Sequence, residues 1–509
     1  MAAMIDTTLH RAGWPQRAVR RLPDNVTVRR FDRGLVTRVE DGGNCEALTG
    51  NSCVMPSLPR SEHQQSSQDW TLVETAQSTT IGLTVAMLGI APLTAPILIV
   101  ILALLTAIVE WRGGGAPLAT LSSGLRTQAG LAGLAFMGFA GLSATWSSEP
   151  SFGFSSVLRV AVTLCAAIYL TIALRRQIHN MNAEQKNRIV RAIPIGAVIA
   201  LVFLFIETST RNGLSNFALQ LLSNFWSGSS KLAASGDGSI SRLLSEPFMH
   251  NRGIAAMVII APALMLAISL WTNNTAKHWV MAALTIWLVA IVSMSESETA
   301  KLAIVGGVAF YVLAARRPAG SWRALSTVCA IGTLLALPLG ALPYELGVHT
   351  WSSASFSARE RVLIWRNTAV STLAQPLFGI GVQSTRFQKS DLPMIASPSG
   401  KSRSPLGWHT HNAFLQTWFE LGAVGAGALL MVLLALIGSL RRLDARIHPT
   451  AVALMAISIL VASTGWSMWQ PWLVATLGIG MAFVGMLEAF VAPRSADASI
   501  SIRDHSSTG

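Results

Sequence analysis

The chain alternates long apolar runs with short polar segments, and most of the apolar runs have the length of a membrane-spanning helix. A helix needs about 20 apolar residues to cross the hydrocarbon core of a bilayer. The pattern predicts about twelve spans and therefore an all-α polytopic membrane protein in a lipid bilayer. The predicted bounds are 80–92, 94–111, 127–146, 155–174, 189–207, 253–271, 278–294, 300–315, 323–342, 411–440, 450–466 and 472–491.

Composition agrees with this fold class. Of 509 residues, 51% are hydrophobic and 12% are charged, whereas soluble domains carry about 25% charged residues. The net charge of +13 falls mainly in the N-terminal tail, the short loops and one large loop. This distribution is typical of a multi-spanning protein, so we expect no nucleic-acid partner. The four cysteines show no spacing of a disulfide framework or a metal site, and we expect no metal.

Basic residues predict the orientation of the spans, because Lys and Arg are enriched in cytoplasmic loops. The loops around 112–126, 175–191, 316–323 and 441–446 are basic, and 147–154, 293–299 and 466–472 lack Lys and Arg. Both chain ends are then cytoplasmic, provided that the run 80–111 forms two spans. Pro92 and Pro96 interrupt that run near its middle. A single span there would reverse every later loop.

The polar segments divide the chain into five parts. These are a polar, mostly disordered cytoplasmic tail (1–79), nine spans with an outer segment at 207–252 (80–342), a large outer loop (343–410), three further spans (411–491) and a cytoplasmic tail (492–509). The large loop carries seven Lys or Arg against three Asp or Glu. The orientation rule does not apply to loops longer than about 60 residues, so the positive charge of this loop is compatible with the predicted topology. The excess of positive charge suggests an anionic partner.

The stretch 408–425 holds the most informative residues. His409, His411 and Asn412 stand where the large loop gives way to an apolar helix, at the predicted outer membrane surface. An imidazole there either handles a proton or only satisfies backbone groups at a helix end. Arg242 and Arg361 lie in the two outer segments. Their forked, always charged side chains suit phosphate, although solvated loop charges and lipid headgroup contacts are the alternatives.

The helix after His411 carries two further features. Glu420 lies a short way into the membrane, where a carboxylate is either functional or paired with a nearby cation. Gly422 and Gly425 are predicted to allow close helix packing. The segment 376–381, Pro-Leu-Phe-Gly-Ile-Gly, is predicted to be a structural turn.

Three blocks of residues together resemble a known family. His411-Asn412 is followed after nine residues by Gly422-Ala-Val-Gly425, and Arg361-Val-Leu-Ile-Trp365 is followed by the turn at 376–381. Arg242 precedes Asn251 at the start of a span, with Met249-His250-Asn251 in place of the commoner Asn-Pro-Asn. With these motifs the chain resembles the O-antigen ligase and O-antigen polymerase family of bacterial envelope enzymes.

The resemblance implies a fold like that of class C glycosyltransferases and an activity without metal or nucleotide cofactor. Such an enzyme transfers a glycan from undecaprenyl diphosphate to a sugar hydroxyl on the periplasmic face of the inner membrane. Arg242 and Arg361 would bind the diphosphate, and His411 would act as general base, since histidine titrates near neutral pH. His409, Asn412, Glu420 and His250 are secondary candidates.

Three functions remain open at this point. The acceptor is lipid A-core in a ligase and a growing polysaccharide, of O-antigen or exopolysaccharide, in a polymerase. A transporter or flippase is the third reading, but it would need charged residues in mid-membrane and broken helices in matching halves. The predicted spans are nearly free of charge. The Gly-x-x-Gly match favours a ligase.

Overall fold

A computed structural model of the chain describes residues 26–31, 34–39, 60–218, 250–271, 276–388, 395–396 and 402–491. The chain divides into two compact units, residues 1–66 and 67–509. In the first, strand β1 (Val26–Phe31) pairs antiparallel with β2 (Gly34–Val39), and Val26 lies opposite Val39. The β-branched residues Val26, Thr27 and Val28 suit a strand.

The described part of the second unit is mainly helical. Its helices are α1 (Arg60–Ile90, which begins in the first unit), α2 (Ala95–Arg112), α3 (Pro117–Leu125), α4 (Gln128–Ser143), α5 (Pro150–Asn180), α6 (Ala183–Ser209), α7 (Asn251–Trp271), α8 (Ala276–Met294), α9 (Glu298–Arg316), α10 (Pro318–Leu334), α11 (Ala336–Glu345), α12 (Phe356–Thr372), α13 (Ala413–Leu440), α14 (His448–Thr464) and α15 (Pro471–Val491). A short hairpin pairs β3 (Ile395–Ala396) with β4 (Ser402–Arg403).

Nine helices among the described residues are long and apolar enough to cross a membrane, and a tenth joins them if the bent pair α10 and α11 counts as one span. Helix α14 is apolar but shorter. Large apolar side chains such as Ile97, Leu104, Ile286 and Val305 are more than half exposed on the outside of the bundle, where lipid would cover them. The prediction of a helical, multi-pass membrane protein is confirmed, and the count of twelve spans stays a prediction.

Helix α7 lies at the centre of the bundle and packs against α6, α14 and α15. A continuous run of its side chains, from Gly253 to Ile260, is buried. Helix α15 packs along α5, α9 along α14, and α13 along α4 and α10. This arrangement places the start of α7, the start of α13 and the end of α14 at the same end of the bundle, which we call the site end.

Capping residues and prolines define many of the helix starts. Proline occupies the first turn of α2, α3, α5, α10 and α14, where its missing N–H is not needed. Side chains of Ser297, Ser355 and Asn412 accept hydrogen bonds from backbone N–H groups at the starts of α9, α12 and α13. Helix α12 lies in the large loop.

Two predicted spans differ from the observed helices. The span expected at 323–342 is a pair of helices, α10 and α11, with a bend of 76° between them. Pro338 explains the bend, because it cannot donate to the carbonyl of Leu334 and its ring would clash with that carbonyl. Helix α1 begins at Arg60, not at residue 80, since residues 60–79 are polar but contain no Gly or Pro. The expected break near Pro92 is observed at Ala91.

Candidate functional site

The site forms where the chain enters α13. Asn412 is the N-cap, and its side-chain oxygen accepts from the Leu415 N–H at 3.0 Å. His411 precedes it with φ of 55°, in the left-handed region. Its Nδ1 lies 2.5 Å from the Gly465 carbonyl oxygen at the end of α14. Because a carbonyl only accepts, Nδ1 carries a proton. When the ring is neutral, Nε2 is then the basic nitrogen, which is the tautomer that a general base needs.

Trp365 fixes the loop that carries His411. Its indole Nε1 donates to the Thr410 carbonyl at 2.9 Å, and the Thr410 hydroxyl donates to the Asn412 carbonyl at 2.8 Å. Arg361 lies one helical turn before Trp365 on α12, so both side chains share a face. The two residues of the Arg-x-x-x-Trp block therefore act on the same loop: Trp365 holds it in place, and Arg361 faces it.

A cluster of positive charge surrounds His409. Its ring lies 4.0 Å from that of His411, centroid to centroid. Burial lowers the pKa of His409 well below its ordinary value, and the charges of His411, Arg252, Arg361 and Arg386 lower it further. The three arginines come from α7, from α12 and from the short turn Ser384–Phe387. The structure thus gathers cations that are far apart in sequence.

The arginines of this cluster retain unused donors. Among the described residues, none of Arg252, Arg361 and Arg386 forms a salt bridge, and the buried Nε atoms of Arg252 and Arg361 have no hydrogen-bond partner. Nε2 of His409 is likewise buried without a partner there. Burial lowers the pKa of Arg361, and Glu360 and Glu298 oppose that effect. The guanidinium groups stay charged at neutral pH, so the cluster can hold an anion such as a diphosphate.

The depressed pKa of His409 predicts acid sensitivity of the fold. Below pH 6.5, the ordinary histidine pKa, His409 binds a proton in the unfolded chain but stays neutral in the folded chain. The free energy of unfolding therefore falls as the pH falls. When the pH is lowered from 7.5 to 5.5, the melting temperature should fall for both proteins. The fall for the wild type should exceed the fall for His409→Gln by on the order of 1 °C. Thermal unfolding in detergent measures this. The exposed His179→Gln is the control, and parallel curves for wild type and His409→Gln would contradict the prediction.

Helix α13 is broken at Gly422, whose φ of 63° and ψ of −163° are not helical. The 376–381 loop docks into the break with four backbone hydrogen bonds. They run from Ile380 N to Phe419 O, Gly381 N to Glu420 O, Ala423 N to Pro376 O and Val424 N to Leu377 O, at 2.8–3.2 Å. The loop thereby satisfies groups that the broken helix leaves unpaired. The turn at 376–381, which was predicted to be structural, therefore completes the backbone hydrogen bonding of α13.

The glycines at the break permit close contact between loop and helix. A Cβ at Gly422 would lie 2.3 Å from the carbonyl carbon and oxygen of Leu377, and a Cβ at Gly379 would lie 2.4 Å from the carbonyl carbon of Glu420. Gly425 faces Leu421 of its own helix, where a Cβ would lie 2.1 Å from the Leu421 Cβ. The close approach expected of Gly422 and Gly425 therefore exists, but the 376–381 loop and the same helix provide it, not a second spanning helix.

Glu420 clamps the segment that follows this loop. Its buried carboxylate accepts from Thr385 Oγ1 and Trp469 Nε1 at 2.5 Å, and from Gln416 Nε2 and the Gln383 N–H at 3.0 Å. All four donors are neutral, so the pairing with a cation that the sequence suggested is not found among the described residues. Glu420 holds the turn that carries Arg386 and does not itself enter the cluster around His409.

Residues 281–430 match the family model described as O-antigen ligase. These residues include α12, the docked 376–381 loop, Arg361, His411 and the break at Gly422. The resemblance to O-antigen ligases inferred from the motifs is confirmed.

Curated relatives point the same way. A protein of Rickettsia conorii named "Putative polysaccharide ligase" is 25% identical over 250 residues, which is 48% of this chain and 59% of the relative. A protein of the same name from Rickettsia felis is 23% identical over 250 residues, covering 60% of its length. A third, from Rickettsia typhi, is 24% identical over 246 residues. The chain thus spans about three fifths of the length of the curated relatives that it matches.

The cluster around His409 contains some of the predicted residues and two that sequence reasoning missed. His409, His411 and Arg361 come together, and Asn412 caps α13 beside them. Arg242 lies outside the described residues. Arg252 and Arg386 were visible only as charges in the outer segments, and the position of Arg252 directly after Asn251, at the start of α7, was the clue to the former.

His250 stands apart from the cluster. Its Nε2 lies 3.3 Å from Oε2 of Glu207 on α6. The other carboxylate oxygen, Oε1, accepts from the N–H and the hydroxyl of Ser215 at 2.7 and 3.0 Å. His250 thus ties the start of α7 to the end of α6, two residues before Arg252.

An apolar cavity of about 360 Å³ opens beside the site. Trp365 and Asn412 line its wall next to His411, and Phe310, Leu325 and Leu460 line it among α9, α10 and α14. The bend between α10 and α11 shapes its wall, with Ile331 and Ala336 on either side of the bend. The cavity can accommodate part of a long hydrocarbon chain.

Proposed function

We propose that the chain is an O-antigen ligase-like glycosyltransferase. It moves a glycan from undecaprenyl diphosphate to a sugar hydroxyl of lipid A-core, on the periplasmic face of the bacterial inner membrane. The observation that carries this proposal is the gathering of Arg252, Arg361 and Arg386 around the adjacent rings of His409 and His411 at the site end of the helices, with unused arginine donors.

The reaction breaks the bond between the anomeric carbon and the diphosphate oxygen and forms a bond to the acceptor hydroxyl oxygen. Negative charge grows on the departing diphosphate. Arg361 and Arg252 stabilise it with forked hydrogen bonds. We propose the same role for Arg242, which lies outside the described residues. The fixed cations of this partly buried site contribute more to the rate than the general base does, because no solvent needs to reorganise around them.

His411 takes the proton of the acceptor hydroxyl at Nε2. The Gly465 carbonyl holds its Nδ1 proton and fixes the ring. The lowered pKa of His409 keeps that ring neutral, so it can position a hydroxyl or phosphate oxygen beside His411. No metal enters this mechanism.

The apolar cavity beside Trp365 receives the part of the undecaprenyl chain next to the diphosphate. The tail of the carrier already lies in lipid hydrocarbon, so the cavity orients the chain by van der Waals packing and gains no free energy of transfer from water. A lipid-linked donor thus presents its diphosphate to the arginines and its tail to the cavity at the same time.

A deletion strain tests the proposal and separates it from the polymerase alternative. Loss of the gene should give lipid A-core without O-antigen while lipid-linked polymer accumulates. Core that carries a single repeat would instead mean a polymerase, and loss of secreted polysaccharide with intact lipopolysaccharide would mean an exopolysaccharide polymerase. Unchanged glycans would reject all three.

Complementation of the deletion tests the diphosphate site. Arg361→Gln should reduce transfer by about 100-fold, since it leaves the leaving group short of a buried charged donor. Arg366→Gln is the matched control, because Arg366 lies on the same helix but stacks on Tyr344 at 5.2 Å. Lipopolysaccharide gels and immunoblots of the protein report transfer and expression. Equal transfer by Arg361→Gln and wild type would remove Arg361 from the site.

A further inference from the structure

Three aromatic rings and an arginine form an exposed platform next to His409. We call Phe152, Phe387, Trp408 and Arg386 the aromatic platform. The Arg386 guanidinium lies 5.0 Å from the Phe152 ring centroid and 5.5 Å from those of Phe387 and Trp408. Phe152 and Phe387 meet edge to face at 5.5 Å. Trp408 is 74% exposed and Phe387 is 40% exposed. Single exposed rings are ordinary, but a contiguous group is typical of a binding surface.

The platform is held rigid from two sides. Toward α5, the Ser384 hydroxyl meets the Ser147 hydroxyl at 2.9 Å and accepts from the Ser148 N–H at 3.0 Å. Toward α13, Thr385 and the Gln383 N–H donate to the buried Glu420. The turn Ser384–Phe387 therefore displays Arg386 and Phe387 in one fixed position. A preformed surface of this kind loses little conformational entropy when a ligand binds.

The platform adjoins the reacting groups. Trp408 directly precedes His409, and the charge of Arg386 contributes to the lowered pKa of His409. A ligand that lies on the Trp408 ring is therefore next to the site where the diphosphate and His411 are proposed to act.

The chemistry of the platform selects one class of ligand. A pyranose ring has an apolar face of C–H bonds that stacks on aromatic rings, and hydroxyls that accept hydrogen bonds from a guanidinium. A lone phosphate would not need three rings, and a hydrocarbon chain would not need the arginine. We propose that the aromatic platform is a subsite for a sugar ring of the glycan next to the one that reacts. This inference rests on the proposed function and adds to it a binding surface for the glycan itself.

Glycan binding to the purified full-length chain in nanodiscs tests the subsite. Two probes are used, the core oligosaccharide released from lipid A by mild acid and the O-antigen glycan released from its carrier, each measured by saturation-transfer NMR. Trp408→Ala should weaken binding of one probe by about tenfold, the size expected for loss of a central aromatic contact, and Trp408→Phe should retain most of it. The probe that responds tells whether the sugar belongs to acceptor or donor. Trp279→Ala, with 78% exposure on α8, is the control.

The outcomes separate the subsite from the proposed function. Equal binding of both probes by wild type and Trp408→Ala overturns the subsite, and so does absence of binding to the wild type. A Trp408→Ala protein that binds glycan normally but partitions less into lipid would show an interfacial anchor instead, and also overturns it. If the wild type transfers no glycan to any acceptor but Trp408→Ala still weakens glycan binding, the subsite is supported and the proposed ligase function is rejected.

Discussion

Gly422→Ala should abolish glycan transfer, whereas Gly427→Ala, five residues later on the same helix, should leave it unchanged. Alanine at Gly422 would have to adopt φ of 63° with ψ of −163°, a backbone region that is essentially restricted to glycine and costs about 1–3 kcal/mol. Its Cβ would also lie 2.3 Å from the Leu377 backbone. Backbone atoms cannot move aside as the end of a flexible side chain can, so the 376–381 loop must leave its place.

Displacement of the loop has a further consequence. The four backbone hydrogen bonds at the break are lost, at about 1 kcal/mol each. The turn Ser384–Phe387, which follows the loop in the chain, then loses part of its support, and Arg386 is displaced from its place beside His409. Nothing lies within 4 Å of a Cβ at Gly427, so alanine there is neutral or stabilising by about 0.5–1 kcal/mol.

Thermal unfolding and transfer are measured together on both purified variants. The expected result is a lower melting temperature and no transfer for Gly422→Ala, with both quantities near wild type for Gly427→Ala. A Gly422→Ala protein with full transfer would show that the docked loop is not required for the site.

The contrast between these two glycines also shows where sequence reasoning stops. Hydropathy identifies the stretch around both residues as one span, because period and length decide that question locally. The break at Gly422 depends on a loop some forty residues earlier in sequence, and no local pattern reports that contact. The Gly-x-x-Gly and Pro-x-x-Gly-x-Gly blocks were both visible in the sequence, but their mutual hydrogen bonds were not.

The candidate site was predictable to a similar extent. His411 and Arg361 could be selected because their residue types suit proton transfer and phosphate binding at a polar boundary. Arg252 and Arg386 were not selected, since a guanidinium in a loop gives no sign of its direction until α7, α12 and the turn Ser384–Phe387 converge. The role of Trp365 as a donor to Thr410 likewise needs the fold, because the two residues are 45 positions apart.

His411→Asn should lower kcat by roughly 10²- to 10⁴-fold, the range that a positioned general base contributes, with KM for the lipid-linked donor little changed. Asparagine is the informative replacement because it tolerates the left-handed backbone that His411 adopts. Its amide can still donate to the Gly465 carbonyl, so the start of α13 keeps its support while the basic nitrogen is removed.

Two further histidines make the test of His411 specific. His409→Asn should reduce transfer much less, because its proposed task is to position and not to accept a proton. His349→Asn should have no effect, since His349 stacks on Tyr344 at 4.1 Å, outside the cluster. Full transfer by His411→Asn at normal expression would remove the base assignment and leave the arginines as the whole of the catalytic apparatus. A rise in donor KM at unchanged kcat would instead make His411 a ligand of the diphosphate, because uniform binding, lost equally from ground and transition states, appears in KM alone.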